Sequence, residues 1–542
     1  MIDNQYEEQQ TTYGKRITQE KNSLENVINF KRGKDSYNLK TRKFARTKKR
    51  KFEETWMGGY PLYCENDKKN VFYDQSDSHA LVIGSTGSKK SRLVVMPTIY
   101  LLASAGESMI ISDPKGEIYQ RTATYLHKNG YDIYVLNIRN PDLGNSWNPL
   151  YIPFCYYKNG QIDKANEMIN DIAHNIALAD VSLKDPFWDH AAGSVLSGLI
   201  LLLFKYCFLN KLPDDTVNFE NLIRLRMELF GREDFNLFSH PLWEMIKDDT
   251  VIMSALNGTI TAADRTKASI LCVLDEKIRF LSMSQTLINM LSNNDFDIGK
   301  IREHRSAIYL IVPDEKTTYH KLISMFIKQS YEYLISLSYE VVNSGCVRIN
   351  YILDEFSSLP AMQDFPSMIS AARSRNIRYM LVIQSQHQLF RRYAEEAQTI
   401  MANCTTWYFL TSRETDLLEK ISTLCGVDEK NKPLLSVSRL QRLDKEKGEC
   451  LIFSGRLKPF ISTLMEINEY DGGEYKILPF QKRGKNITEK ILFSECVFHE
   501  PQRQSKISGN ELLERSNLDE ELQKKFDELF GSPKSDEEGT DE

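Results

Sequence analysis

The chain has no C-x-x-C pair. Its nine cysteines are scattered over 542 residues, so the pattern offers neither a zinc site nor a disulfide framework. Thiols kept reduced in a cytosol are the simplest reading. A signal-peptide pattern is lacking as well. So is a long apolar run: the most apolar stretch, Val195 to Phe204, falls short of the roughly 20 residues that span a bilayer. No transmembrane segment is expected, and membrane association is expected to come through a partner protein. Net charge is also slight, at −5, but it is unevenly spread. Lys31, Arg32, Lys34, Lys40, Arg42, Lys43, Arg46, Lys48, Lys49, Arg50 and Lys51 make a basic segment near the start. Asp519, Glu520, Glu521, Asp527, Glu528, Asp536, Glu537, Glu538, Asp541 and Glu542 make an acidic end. The first is either a solvated arm or a contact for nucleic acid or an anionic membrane face. A short amphipathic helix is expected from Leu518 to Phe530.

What the chain does have is apolar residue in quantity, 41%, and enough length for more than one domain. Its most telling stretch is Gly84-Ser85-Thr86-Gly87-Ser88-Lys89-Lys90-Ser91. An apolar run, Ala80 to Ile83, precedes it, and a helix-like run, Arg92 to Leu102, follows. Strand, glycine loop and helix are the context of a phosphate-binding P-loop. In such a loop backbone N–H groups form an anion nest, reinforced by the partial positive charge of the helix N-terminus. Lys90 is then placed to reach the β/γ-phosphates of ATP, and the Ser91 hydroxyl to hold Mg²⁺.

One position departs from G-x-x-x-x-G-K-[ST]. Lys89 stands where the second glycine belongs, and that glycine permits a backbone conformation that side chains resist. Its side chain is expected beside the phosphates, crowding Lys90 or displacing Mg²⁺. Nucleotide binding and nucleotide turnover are therefore separate questions here.

Around this loop the apolar runs alternate with helical periods. Met109–Ile111 and Ile133–Leu136 read as strands, with a helix from Ile118 to Asn129 closed by Gly130. From about residue 160 to 295 the spacing is helical almost throughout. Pro186-Phe187-Trp188-Asp189 opens one helix, and Val251 to Leu281 reads as another, broken near Gly258. Strands resume at Ala307–Val312, Ile349–Leu353, Tyr379–Ile383, Thr405–Leu410 and Glu449–Phe453. The pattern predicts an α/β fold, a parallel sheet flanked by helices, carrying an inserted all-α domain.

The strand at 349–353 ends in Asp354-Glu355. An aspartate there can hold the Mg²⁺ shell, and a glutamate beside it can orient and deprotonate the attacking water. Both then share the carboxyl edge of the sheet with the P-loop. Gln384 ends the next strand, either as a γ-phosphate sensor or as a plain polar cap. Arg373, Arg375 and Arg378 cluster near a helix end. Arg375 is the candidate for an arginine supplied to a neighbouring subunit's site, against the plainer reading of a cation at a helix C-terminus. Asp113, Lys115 and Glu117 crowd another strand end, facing either the nucleotide or a translocating strand. His79 reads as a packed or exposed turn residue.

Taken together these residues resemble the type IV secretion coupling proteins of bacterial conjugation, the TraG/TraD-like group. The likeness spans roughly residues 56 to 470 and rests on motifs in order. These are His79–Gly84 with Thr86-Gly87-Ser88, Asp113–Glu117, Trp147–Leu150, and Phe187-Trp188-Asp189 with Ala191-Ala192. Asp354-Glu355-Phe356, Ala372–Asn376, Gln384-Ser385, Gln388-Leu389 and Tyr393 follow. The resemblance implies a RecA-like P-loop NTPase domain over 56–155 and 300–480, with an all-α domain over 156–299. A basic arm, 1–55, and a charged tail, 481–542, flank them. It implies a homo-hexameric, DNA-translocating ATPase that grips single- or double-stranded DNA without reading sequence and brings relaxase–DNA cargo to the secretion channel. The transmembrane helices usual in the family are not expected here. A cytoplasmic chain lying against the inner face of the membrane, held by a separate anchor protein, follows from that. The competing reading is a hydrolysis-deficient adaptor that keeps the fold and binds cargo proteins, with the acidic tail as docking segment. A chromosomal or filament translocase unrelated to secretion is the third.

Overall fold

A computed structural model describes residues 27–29, 57–64, 70–178, 186–231, 240–313, 315–340, 347–428, 430–471, 475–484 and 489–493. The chain divides into two compact units, Met1–Ser494 and Glu495–Glu542. The second unit lies outside the described residues, as do the basic segment at 31–51 and the helix expected at Leu518–Phe530.

Strands β1 (Val27–Asn29), β2 (Tyr60–Cys64) and β3 (Asn70–Asp74) form a small antiparallel sheet in the order β1-β3-β2. The large sheet has nine strands. They are β4 (Ala80–Gly84), β5 (Ser108–Ser112), β6 (Asp132–Asn137), β7 (Ser306–Ile311), β8 (Ile349–Leu353), β9 (Ile377–Ile383), β10 (Thr406–Thr411), β11 (Glu449–Ser454) and β12 (Phe460–Thr463). Their order is β12-β11-β10-β4-β9-β8-β5-β7-β6. From β10 to β6 every pairing is parallel; β11 and β12 extend that sheet antiparallel. Each residue of β4, β5, β8 and β9 is buried. Such strands, covered on both faces by helices, read as continuous apolar runs rather than alternating ones.

Helix α1 (Met96–Ala105) follows the P-loop through a π-helical turn, Ser91–Val95. Helix α2 (Glu117–Lys128) joins β5 to β6, and Gly130 follows it with φ of 76°. Between β6 and β7 the described residues carry helices but no strand of the large sheet. These are α3 (Tyr151–Lys158), α4 (Ile162–Ala177), α5 (Phe187–Leu209), α6 (Phe219–Phe230), α7 (Leu242–Ile246), α8 (Thr250–Ile260), α9 (Asp264–Ser282) and α10 (Gln285–Met290). The break expected near Gly258 falls later, at Thr261–Ala263. Gly258 sits inside α8 with open space where a Cβ would stand. An interior glycine costs a helix only about 1 kcal/mol, whereas Ala263, extended at ψ of 144°, interrupts the helical path.

The apolar run at 195–204 proves to be the middle of α5, a helix of 23 residues. By length and composition it is sufficient to cross a membrane, with mean hydropathy 1.9. In the molecule 78% of its most apolar window is buried. Leu199, Ile200, Leu202, Leu203 and Phe204 pack inside the helical cluster, each contributing about 1.5–3 kcal/mol by burial. Helix α11 (His320–Glu340) then runs from β7 toward β8, and α12 (Phe365–Ala372) from β8 toward β9. These crossovers bring the ends of β4, β8 and β9 to one edge.

Candidate nucleotide site

In a parallel sheet all carboxyl ends lie on the same side, and ligands of such folds bind there. β4 therefore delivers the loop at 84–91 beside Gln384 at the end of β9, with Asp354-Glu355 one strand further on. The side chains close the gap. Thr86 Oγ1 donates to Gln384 Oε1 at 2.8 Å, and Gln384 Nε2 donates to Glu355 Oε1 at 2.7 Å. Ser91 Oγ donates to Asp354 Oδ2 over a long 3.5 Å. Two segments more than 260 residues apart in sequence thus meet in one place.

The P-loop is bent as its motif requires. Gly87 has φ of 76° and Lys89 φ of 65°. A non-glycine residue in that left-handed region is strained. With this bend the Lys89 side chain reaches two carboxylates outside the loop. Its Nζ lies 2.7 Å from Glu446 and 3.7 Å from Glu466, and Glu466 also pairs with Arg92 at 2.7 Å. The hydrogen bond to Glu446 holds the Lys89 ammonium above its ordinary pKa. The expected crowding of Lys90 or displacement of metal is therefore corrected: the side chain leaves the loop on the side of the 444–448 turn.

Lys90 is buried, which lowers its pKa, and its Nζ donates to the loop's own Gly84 carbonyl at 2.6 Å. Ser88 is 2% exposed, and its Oγ has no hydrogen-bond partner among the described residues. Burial, then the charges of Glu355 and Asp113, push the Asp354 carboxyl up to about 7. Burial raises Asp113 to about 6, although the Tyr119 N–H donates to its Oδ2 at 2.8 Å. A cation placed among Asp354, Glu355 and Asp113 relieves this crowding of negative charge. A buried lysine, an orphaned hydroxyl and hard oxygen ligands at Ser91 and Asp354 suit a magnesium nucleotide.

A cleft of about 520 Å³ opens on the β10 side of the loop. Ser85, Thr86, Gly87 and Ser88 form one wall; Thr411, Ser412, Arg413, Gln441 and Lys445 form the other. The Ser85 N–H ties the walls together through the Thr411 carbonyl at 3.0 Å. Arg413 and Lys445 were not singled out from sequence. Their place depends on β10 lying next to β4, and no local motif announces that pairing.

Other expected residues lie elsewhere. Arg375 precedes β9, at the amino edge of the sheet, so the length of the strand separates it from its own chain's Lys90. Seven residues at roughly 3.3 Å each make that about 23 Å. Its Nη1 donates to Ala371 O and Ser374 Oγ. Asp113 accepts from the first turn of α2 and serves that helix start, while Lys115 and Glu117 are exposed. His79 is wholly buried; it accepts from Tyr379 N–H through Nδ1, so Nε2 donates to Ile369 O.

A family model described as Type IV secretory system Conjugative DNA transfer matches residues 19–436. The chain belongs to this family. Protein VirD4 of Rhizobium rhizogenes is 22% identical over 417 residues, covering 71% of this chain and 58% of that protein. Protein VirD4 of Agrobacterium fabrum (strain C58 / ATCC 33970) is 23% identical over 356 residues, covering 64% and 49%. The chain thus spans about half the length of the curated relatives it matches. Among solved structures, the bacterial conjugative coupling protein TrwBdeltaN70 superposes with a TM-score of 0.51 at 15% identity, covering 78% of this chain and 90% of that one. The plasmid coupling protein TrwB in complex with the ATP analogue ADPNP gives 0.51 at 16% identity, covering 82% and 99%. These likenesses establish the fold as that of a RecA-like P-loop NTPase.

Proposed function

We propose that this chain is a coupling ATPase of conjugative transfer, which binds ATP with Mg²⁺ and moves DNA toward a type IV secretion channel. The observation that carries the proposal is the meeting of Lys90, Ser91, Asp354, Glu355 and Gln384 at one sheet edge. Membership of the family supports the cargo, and a TrwB structure described as holding ADP and Mg²⁺ supports the ligand class.

In this reading Gly84 to Ser91 cradle the phosphates, and Lys90 exchanges the Gly84 carbonyl for a phosphate oxygen. Ser91 and Asp354 hold the metal, which when bound offsets charge on the transferred phosphoryl group. Glu355 orients water and takes its proton. Gln384, between Thr86 and Glu355, senses whether the loop is filled. Arg375 acts in the site of a neighbouring copy in a homo-hexamer. The relaxase is the cargo's protein component, and a separate anchor protein holds the assembly at the inner membrane face. The domain division at residues 156 and 299 belongs to the same proposal, with the sheet as motor and the helices as its appendage.

The test is phosphate release by the full chain with single- and double-stranded DNA, alongside Lys90→Ala and Glu355→Gln. DNA-stimulated release that both substitutions abolish is the expected result. Equal release from Lys90→Ala overturns it. Nucleotide binding without release, restored by Lys89→Gly, selects the second reading, a hydrolysis-deficient adaptor, which the left-handed Lys89 favours.

A further inference from the structure

Lys89 takes the place of a glycine and carries backbone strain, yet its side chain is engaged rather than loose. It reaches Glu446, in the turn before β11. That turn is built independently of the lysine. Asp444 Oδ1 accepts from the N–H groups of Glu446 and Lys447 at 2.9 and 3.2 Å. Glu449 Oε2 accepts from Asp444 N–H and from Arg439, both at 2.9 Å. Gly448 has φ of 72°, and a Cβ added there would stand 3.3 Å from Leu93 Cδ2, so the turn rests directly on the turn following the P-loop. Between Asp444 and Glu446 stands Lys445, a wall residue of the cleft beside the P-loop. Lys445 and Arg413 are exposed, and neither side chain has an ion-pair or hydrogen-bond partner among the described residues; the Lys445 carbonyl accepts from the Gly448 N–H within the turn. No carboxylate lines that cleft.

We propose that Lys89 is a positioning residue: through Glu446 it fastens the 444–448 turn to the P-loop and so holds the Lys445 ammonium over the nucleotide cleft. The proposal rests on the nucleotide reading above and adds to it a second basic wall. The catalytic carboxylates lie on the β8 side of β4 and this wall on the β10 side. A nucleotide whose terminal phosphate faces Glu355 therefore runs its nucleoside end along Arg413 and Lys445. The ligand group served is the phosphate nearest the nucleoside, which ADP and ATP share. Lys89 thus trades the flexibility of a glycine for a link that a glycine cannot make.

The experiment is titration of the full chain with ADP and Mg²⁺. Lys445→Ala is expected to weaken binding about fivefold, the scale of one partly screened charge contact. Lys89→Gly and Glu446→Gln are expected to lose a similar factor, and Lys89→Arg to restore it. Lys89→Gly combined with Lys445→Ala is expected to lose no more than either alone, because both remove one contact. Glu446→Gln leaves the P-loop backbone unchanged, so a matching loss there separates the broken link from any change in folding of Lys89→Gly. Undiminished or tighter binding by Lys89→Gly, or losses that multiply in the double variant, overturns the proposal while leaving the nucleotide site standing. Failure of the unaltered chain to bind ADP overturns the nucleotide reading itself, and this inference with it.

Discussion

Replacing Lys89 separates backbone strain from side-chain contact. Its φ of 65° lies in the left-handed region, which costs an L-residue roughly 1–2 kcal/mol. Glycine removes that cost but brings about 0.5–1 kcal/mol of extra freedom to the unfolded chain. Alanine keeps the Cβ and hence the strain. Both substitutions lose the pair with Glu446, which is largely solvent-exposed and screened, so that term cancels between them. Lys89→Gly is therefore expected to be more stable than Lys89→Ala by about 1 kcal/mol. Paired urea melts without nucleotide, followed by tryptophan fluorescence, read this as a shift in midpoint at constant slope. If Lys89→Ala is as stable as Lys89→Gly, the loop is not strained at that residue and the physical account of its departure from the motif fails.

Other consequences follow from buried groups. Burial lowers His79 from 6.5 to about 4. Its contribution is complete above pH 6.5 and is lost as pH falls toward 4, because the unfolded imidazole takes up a proton that the folded one refuses. The loss between pH 7 and pH 5 is about 2 kcal/mol, read as a midpoint shift in urea melts that is smaller in His79→Gln. Phe204→Ala empties a fully buried site facing Phe154 at 5.1 Å and is expected to cost about 3–5 kcal/mol in the same melts. Gln384→Ala cuts the chain from Thr86 to Glu355. Phosphate release should fall about tenfold or more while ADP affinity changes little; equal release would deny Gln384 its sensing role.

Much of this was legible because parallel sheets obey a strong rule: carboxyl ends share an edge. Knowing that Ile83, Leu353 and Ile383 end strands was enough to bring Lys90, Asp354 and Gln384 together. The same rule applies to Arg375: a residue just before a strand sits at the amino edge, away from its own chain's P-loop. Lys89 was misplaced. The motif gives the residue's number in the loop, but the sign of φ decides where its Cβ points, and only the folded backbone supplies it. Gly258 drew the helix break toward itself by propensity, whereas Thr261–Ala263 makes it. Glu446 and Lys445 carried no local signal, since a charged turn before a strand looks like any solvated loop. Their meaning comes from β11 being carried next to β10, and β10 next to β4.

The most direct test is calorimetric titration of the full chain with ATP, with and without Mg²⁺, beside Lys90→Ala and Asp354→Asn. The account predicts magnesium-strengthened binding in the unaltered chain, loss of binding in Lys90→Ala, and binding indifferent to magnesium in Asp354→Asn. Binding that survives Lys90→Ala undiminished, or keeps its magnesium dependence in Asp354→Asn, would contradict a shared site at that sheet edge.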